Sequence, residues 1–353
     1  MNILKNIDIA REYNVSSSTV TRWIHLQSEG KNNLQLLKKG NKNWIADNAH
    51  NKAEILKLVE EGKKYRSNID CKRTEPSDEF YSNFTPEEVI DIIHQLEVDD
   101  EIDHTLSYKG EGAKLWEGFV SSSIQDEDYP TGRKLQELLD LSFDYTIYKL
   151  KGVKKLNIIN LGVDHLDITR NYIQKLINMK IDIKFISVSI SKEINEISRD
   201  KMLNWFPEVQ YKSIVSNIDS LKLTSLCFEG HASDAGNLIL YLGSAIGINK
   251  NQNKVFYKIK SALENNDLFI FSNTIDNNRN RSSFYYATNP SNYRLFTWIS
   301  KSLGIDVDNC KLQPAYDSKE NAKKLSLVLD KDYEIKISIN NSTKTVELYR
   351  GQE

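Results

Sequence analysis

The sequence predicts an α/β chain. It has a mostly parallel sheet covered by helices on both faces, antiparallel strands at the C-terminal end, and a small separate domain in front. Three observations carry that reading. From residue 156 onward the apolar runs LNIINLG, DIKFISVSI, VQYKSIV, NLILYLGSAIG and DLFIFSNTI alternate with the helically spaced ITRNYIQKLINM, KEINEISRDKMLNW and QNKVFYKIKSALE. The last runs, LSLVLDKDYEIKISIN and TKTVELY, follow one another with no helix between them, as antiparallel strands do. Residues 1–73 carry 14 Lys/Arg against 8 Asp/Glu, and residues 74–103 carry eleven acidic residues and no basic one, although the 353-residue chain nets only -2. A basic head beside an acidic segment suits a first domain that meets a polyanion.

In chain order, Ile9, Ala10 and Tyr13 give a short helix that stops at Asn14, a residue that tolerates the left-handed conformation. Ser16 or Ser17 caps a second helix, with Val20, Trp23 and Ile24 on its buried face. NLQLLKKGNKNWIAD, turning at Lys39-Gly40-Asn41, reads as a hairpin with a basic tip. Residues 52–66 then read as an amphipathic helix suited to pairing with a second copy. The plan over residues 1–70 is a winged helix-turn-helix, with DNA as its expected partner and a homodimer as its expected assembly. Ser17, Ser18, Thr19, Thr21 and Arg22 would face base edges and phosphates, and Lys39 and Lys42 of the wing would touch the phosphate backbone. IAREYNVSSSTVTRWI followed by the hairpin resembles the excisionase and MerR-like winged DNA-binding domains. A helical interaction domain that never meets DNA is the alternative these residues leave open.

CKRTEPSDEFYSNF, residues 71–84, is polar and broken by Pro76, and reads as a linker. Thr85-Pro86-Glu87-Glu88 reads as a helix start. Thr85 caps, Pro86 sits in the first turn, Glu88 can close a capping box, and Ile90, Ile93 and Leu96 continue the helix. No stretch approaches ~20 uninterrupted apolar residues, so no membrane span or membrane partner is expected. Asp8 and Glu12 interrupt any leader-like segment at the start. Cys71, Cys227 and Cys310 form no CxxC pair and the six histidines form no HxH or HxxxH pair, so neither a disulfide framework nor a metal site is expected. A reducing, cytoplasmic setting fits this cysteine usage.

The stretch NLGVDHLDIT, from Asn160, takes a strand into a glycine ahead of a helix, where many α/β proteins hold a nucleotide-like cofactor. Gly162 stands alone there, with Asp164 and Leu166 where further glycines are usual. Two longer blocks flank it: YKGEGAKLWEGFVSSSIQDEDYPTGRKLQELL (108–139) and LILYLGSAIGINKNQNKVFYKIKSALENNDLFIFSNTID (238–276). Together these resemble the histidine-specific SAM-dependent methyltransferase family, the group containing the ergothioneine-pathway enzyme. The resemblance spans about 86–353. It implies a Rossmann-like SAM-methyltransferase fold over 85–353, divided into a helical substrate-side segment (85–150), a core (151–280) and a substrate-side C-terminal part (281–353).

The resemblance also implies site residues. For SAM these are Tyr108, Gly112, Gly162, Asp164, Ser189, Asn217, Gly243 and Ser244. For the substrate they are Tyr129, Ile248, Asn249, Tyr285, Tyr286, Asn340 and Ser342. No catalytic residue is assigned. Several positions depart from the family pattern. Ser189 stands where a carboxylate would hold the ribose hydroxyls, Asn217 where an Asp lies near the adenine, Ile248 where an Asn follows the IG step, and Asn340 where a Glu meets the imidazole. A carboxylate accepting charge-assisted bonds gives roughly 1.5–3 kcal/mol per bond, more than a serine hydroxyl. The expectation is therefore a DNA-binding protein whose methyltransferase-like domain has weakened or lost catalysis and serves ligand sensing or assembly. The alternative is an active SAM-dependent N-methyltransferase acting on an amine or amino acid other than histidine.

Overall fold

The structure, a computed structural model, describes residues 3–13, 15, 17–28, 30–39, 42–66, 71–98, 101–125, 131–162, 166–228, 234–243, 245–249, 251–265, 267–273, 290–317, 322–340 and 342–350. The chain divides into two compact units, Met1–Leu106 with Phe296–Glu353, and Ser107–Leu295.

The first unit opens with β1 (Ile3–Leu4), α1 (Asn6–Tyr13), α2 (Ser17–Ser28), β2 (Leu36–Lys39), β3 (Lys42–Ala46) and α3 (Ala49–Arg66). The strands form one antiparallel sheet in the order β1-β3-β2. The apolar spacing of the sequence builds its core, with Ile9, Val20, Trp23, Leu34, Ile45 and Ile55 packed together. Asn14, the expected end of α1, lies outside the described residues. Fully buried Asn51 ties the hairpin to α3. Its Oδ1 accepts from the Gln35 amide at 2.7 Å, and its Nδ2 donates to the Gln35 and Ala46 carbonyls at 2.9 and 2.8 Å.

Residues 71–84 are not a linker. They form β4 (Cys71–Thr74) and α4 (Asp78–Asn83), and Phe80 and Phe84 are buried. The Ser77 side chain caps α4 by accepting from the Phe80 amide. The helix expected from Thr85 is α5 (Pro86–Val98), and its capping box is closed in both directions. The Thr85 amide donates to Glu88 Oε2 at 3.0 Å, and the Glu88 amide donates to Thr85 Oγ1 at 3.4 Å. Its buried face is Val89, Ile92, Ile93 and Leu96, whereas Ile90 is half exposed.

The second unit contains α6 (Glu111–Gln125), α7 (Thr131–Lys149), β5 (Lys155–Leu161), α8 (Leu166–Asn178), β6 (Asp182–Ser189), α9 (Lys192–Trp205), β7 (Gln210–Val215), β8 (Ala235–Tyr241), α10 (Ala245–Ile248), α11 (Gln252–Ala262) and β9 (Leu268–Phe271). All five strands expected for the parallel sheet are present, in the order β7-β6-β5-β8-β9, and every pairing is parallel. Alternate residues of each strand feed two cores. Leu156, Ile158, Phe185, Leu238 and Leu240 meet Tyr172, Ile173, Leu176 and Met202 on one face. Ile159, Leu161, Ile186, Val188 and Ile239 meet Ile246, Val255 and Ile259 on the other. The central strands β5, β6 and β8 are buried on both faces and so read as continuous apolar runs, whereas the edge strands β7 and β9 are partly exposed. At the start of α7, buried Gly132 admits α6, since a Cβ there would lie 2.6 Å from Ser123 Oγ.

The C-terminal part adds α12 (Pro290–Ser302), β10 (Lys311–Asp317), β11 (Ala322–Val328), β12 (Asp332–Ile339) and β13 (Ser342–Leu348). β10 pairs with β11 and β12 with β13, both antiparallel as anticipated, and β4 joins β12 in parallel. Gly304, just past α12, has φ +87°, and a Cβ there would come within 2.1 Å of Thr74 Oγ1 and 2.9 Å of the Glu75 carbonyl. That close approach holds β4 beside the end of α12, where the Ser77 amide donates to the Ser302 carbonyl at 2.8 Å.

Asn51→Leu keeps most of the volume but takes away the Gln35 amide's acceptor and one donor each from the Gln35 and Ala46 carbonyls. It is expected to cost about 3 kcal/mol in urea unfolding, while a change at exposed Asn43 stays within about 0.5 kcal/mol.

Candidate functional site

The site begins with the carboxyl ends of β5 and β8, which are hydrogen-bonded neighbours in the sheet. The chain leaves β5 through α8 on one face and leaves β8 through α11 on the other, so the two helices diverge and open a crevice between the strands. Each strand gives way to a left-handed glycine, Gly162 at φ +76° and Gly243 at φ +72°. The Gly162 amide donates to the Val188 carbonyl at 2.9 Å, and the Gly243 amide to Ser272 Oγ at 2.7 Å. Two residues before Gly162, Asn160 is fully buried, and neither its Oδ1 nor its Nδ2 has a partner among the described residues. A buried amide left unpaired costs about 1–3 kcal/mol per group, so its donor and acceptor suit a polar ligand at this edge.

Tyr108, Gly112, Ser189 and Asn217 also belong to the second unit. The segment holding Tyr108 leads into α6, whose first turn carries buried Gly112 and whose Ala113 packs on Ile194 at the start of α9. The Tyr108 ring meets Trp116 edge-on at 5.1 Å. Ser189 ends β6, and its carbonyl accepts from the Ser216 amide at 2.9 Å, which brings Asn217 alongside. Both polar side chains are engaged locally. Ser189 Oγ accepts from the Ser191 amide at 3.1 Å, and exposed Asn217 accepts from the Asp219 amide at 3.0 Å. The nearest carboxylate along the chain from Ser189 is Glu193, in the first turn of α9, which accepts from Ser191 Oγ at 2.9 Å. Sequence reasoning passed over Glu193 because it begins a helix instead of ending a strand.

Of the substrate residues, Asn249 donates through Nδ2 to the Tyr241 hydroxyl at 2.6 Å. Ile248 ends α10, and its side chain is not among those described. Asn340 and Ser342 belong to the first unit, where Asn340 at φ +48° turns the β12–β13 hairpin and Ser342 Oγ donates to the Ile339 carbonyl at 2.9 Å. Tyr129, Asp164, Ser244, Tyr285 and Tyr286 lie outside the described residues.

Beside the crevice an ionic knot joins three helices of the second unit. Lys201 of α9 donates to Glu117 Oε1 of α6 at 2.6 Å and to Asp167 Oδ2 in the first turn of α8, and Ser121 Oγ lies 3.0 Å from both carboxylates. Lys201, Glu117 and Asp167 line a small cavity with Ala113, Trp116, Leu166, Ile194, Ile197 and Ser198. The indole Nε1 of Trp116 is buried there without a partner. Burial opposes the charge on Lys201, but the hydrogen bonds and charges of Asp167 and Glu117 outweigh it and hold the ammonium above the usual lysine range. Among the described residues no cluster of His, Cys, Asp and Glu could hold a metal, and no helix is long and apolar enough to cross a membrane.

Three of the expected DNA-facing residues of α2, Thr19, Thr21 and Arg22, have described side chains, and each has a partner within the first unit. Thr19 is only 7% exposed and its hydroxyl is hydrogen-bonded to that of Tyr349. The Arg22 guanidinium lies over the Tyr349 ring, 4.6 Å from its centre. Thr21 Oγ1 accepts from Asn6 Nδ2 at 3.2 Å. Thr19 and Arg22 are thus taken up by the residue that follows β13, which no local pattern reveals. The side chains of Ser17, Ser18, Lys39 and Lys42 are not among those described.

A family model described as histidine-specific methyltransferase, SAM-dependent, matches residues 87–353. No curated protein matches the chain. Among solved structures, the chain is similar to the DszA carbon methyltransferase at 10% identity and TM-score 0.34, covering 74% of this chain and 62% of that one. It is also similar to a structure titled a putative S-adenosyl-L-methionine-dependent methyltransferase from Methanococcus maripaludis, at 10% identity and TM-score 0.23, covering 63% of this chain and 94% of that one.

Lys201→Met is expected to lower stability by about 2 kcal/mol, because it leaves Asp167 and Glu117 without their cation. The group's folded pKa is raised, so its stabilisation is complete below the unfolded lysine range and is lost as pH climbs through the folded value. Thermal melts of both proteins should therefore differ from neutral to mildly alkaline pH and converge at strongly alkaline pH.

Proposed function

Because the chain belongs to the histidine-specific, SAM-dependent methyltransferase family, we propose that its second unit binds S-adenosylmethionine at the crevice between β5 and β8, for methyl transfer to an amine or amino acid other than histidine. The observation that carries this reading is the pair of left-handed glycines, Gly162 and Gly243, ending two adjacent strands beside an unpaired buried Asn160. Backbone without a Cβ admits close approach by a ligand, and the Asn160 amide offers one donor and one acceptor. When bound, the cofactor supplies an electrophilic methyl group.

This chain's residues would do the rest by binding and orientation. Tyr108 and Gly112 bring the start of α6 to the crevice, Ser189 and Glu193 offer oxygens toward the ribose, and Asn217 suits an adenine edge. Methyl transfer asks chiefly that the amine be held in line, with a path for its proton. The substrate departs from histidine because Ile248 stands where the family pattern has an Asn, and sites built on paired hydrogen bonds discriminate strongly.

A second reading keeps the N-terminal element order in view. β1, two helices across a short turn, the β2–β3 hairpin and α3 follow the plan of a winged DNA-binding module, and this end of the chain is basic. In that reading the protein binds DNA and the methyltransferase unit senses a ligand with weakened catalysis. It requires α2 to leave Tyr349, or the wing lysines to carry the contact alone. Low-salt electrophoretic shifts with the wild type and Tyr349→Ala test it, and no shift from either protein removes it.

Calorimetry tests the first reading. Wild type is expected to bind S-adenosylmethionine in the micromolar range. Gly162→Val should weaken binding at least tenfold, beyond the roughly 1–2 kcal/mol of left-handed strain it introduces. Gly152→Val is the control, since Gly152 has φ +91° with open space around its Cβ position, and it should carry the strain without the affinity loss. No binding by the wild type, or equal affinity in all three proteins, would defeat the assignment.

A further inference from the structure

α7 turns four large side chains to solvent, Leu138, Leu141, Tyr145 and Tyr148, with exposures of 60%, 81%, 62% and 71%. Their steps of three, four and three residues are those of the a and d positions of a heptad. The opposite face of the same 19-residue helix buries Leu139 and Thr146 and packs Phe143 and Ile147 into the unit's core. One apolar stripe therefore holds α7 to its own unit, and the second has no cover among the described residues. Singly exposed apolar residues are ordinary, but four in heptad register on one helix are not.

The size and charge of this face point to a second copy of the chain. The four side chains leave roughly 500 Å² open, near the top of what a monomer carries as its largest patch. Pairing two copies would cover about 1,000 Å², the lower bound for a biological interface. Counting from Leu138 as position a, exposed Asp144 is a g position and exposed Lys149 the e position five residues on. In a parallel helix pair, g of one helix meets e of the next heptad on the other. Asp144 would then face Lys149 of the partner subunit, twice by symmetry. Lys149 already lies along this stripe, its Nζ 5.5 Å from the Tyr145 ring centre and 5.9 Å from that of Tyr148. An antiparallel pair would instead set the two Asp144 carboxylates against each other, which is unfavourable.

We propose that α7 is a homodimer interface, formed as a parallel two-fold helix pair with Leu138, Leu141, Tyr145 and Tyr148 at its seam. This surface is independent of the cofactor reading. Sedimentation velocity on the full chain across a concentration series tests it. The wild type should sediment as a dimer, and Leu141→Glu should shift it to a monomer with unchanged circular dichroism and melting temperature. Asp144→Lys should also weaken the dimer, and the double exchange Asp144→Lys with Lys149→Asp should restore it. A wild type that stays monomeric at every concentration overturns the proposal, and so does a dimer that survives Leu141→Glu. Loss of dimer in Asp144→Lys without rescue in the double exchange overturns the parallel arrangement.

Discussion

Two neighbouring parallel strands whose following helices depart to opposite faces cannot both be covered at their carboxyl ends, and the second unit is organised around that geometric fact. Apolar burial on both faces fixes β5 and β8 side by side. With the strands fixed, the crevice at their ends follows from topology alone, before any side chain is chosen. Gly162 and Gly243 then decide how near a ligand can come to the backbone. Lys201, held between Asp167 and Glu117, joins the start of α8 to α6 and α9, so the helix that follows the Gly162 turn is anchored on two sides. Charge pairing of this half-buried kind adds modest stability, and its larger effect here is to fix the relative placement of three helices.

The first unit is built by pairings remote in sequence. β4 lies parallel to β12 although their residues are more than 250 positions apart, and the helix α2 meets Tyr349 across 330 positions. Such contacts explain why residues 1–106 and 296–353 behave as one body. They also change the meaning of the basic N-terminal end. Thr19 and Arg22 have the chemistry of nucleic-acid contacts, yet in this structure the Thr19 hydroxyl is hydrogen-bonded to a tyrosine of the same unit and the Arg22 guanidinium lies over that tyrosine's ring.

What the sequence made legible follows the same division. The central strands β5, β6 and β8 were visible because both their faces are buried, the edge strands β7 and β9 because short apolar runs alternate with helically spaced segments, and the capping box at Thr85 because its signal lies within four residues. β4 was hidden: a polar CKRT ahead of Pro76 reads as a linker until a distant parallel partner is supplied. Ile90, Ile93 and Leu96 marked α5 as a helix but not its buried stripe, because a short apolar cluster admits more than one; packing selected Val89, Ile92, Ile93 and Leu96 and left Ile90 half exposed. At the site, Gly162 and Gly243 could be found from their motifs. Asn160 and Glu193 could not, since one looks like part of a strand and the other like a favourable first-turn acid.

On the proposed function, the Asn160 amide is a ligand-facing group at the crevice and not a tolerated defect of the core. The most direct measurement is the side-chain amide resonance of Asn160 in nitrogen-15 spectra, assigned through Asn160→Asp, during titration with S-adenosylmethionine. The resonance should move or exchange with the bound form and saturate at the same concentration as binding measured by heat. An Asn160 amide that stays unchanged while the cofactor saturates the protein would contradict the claim.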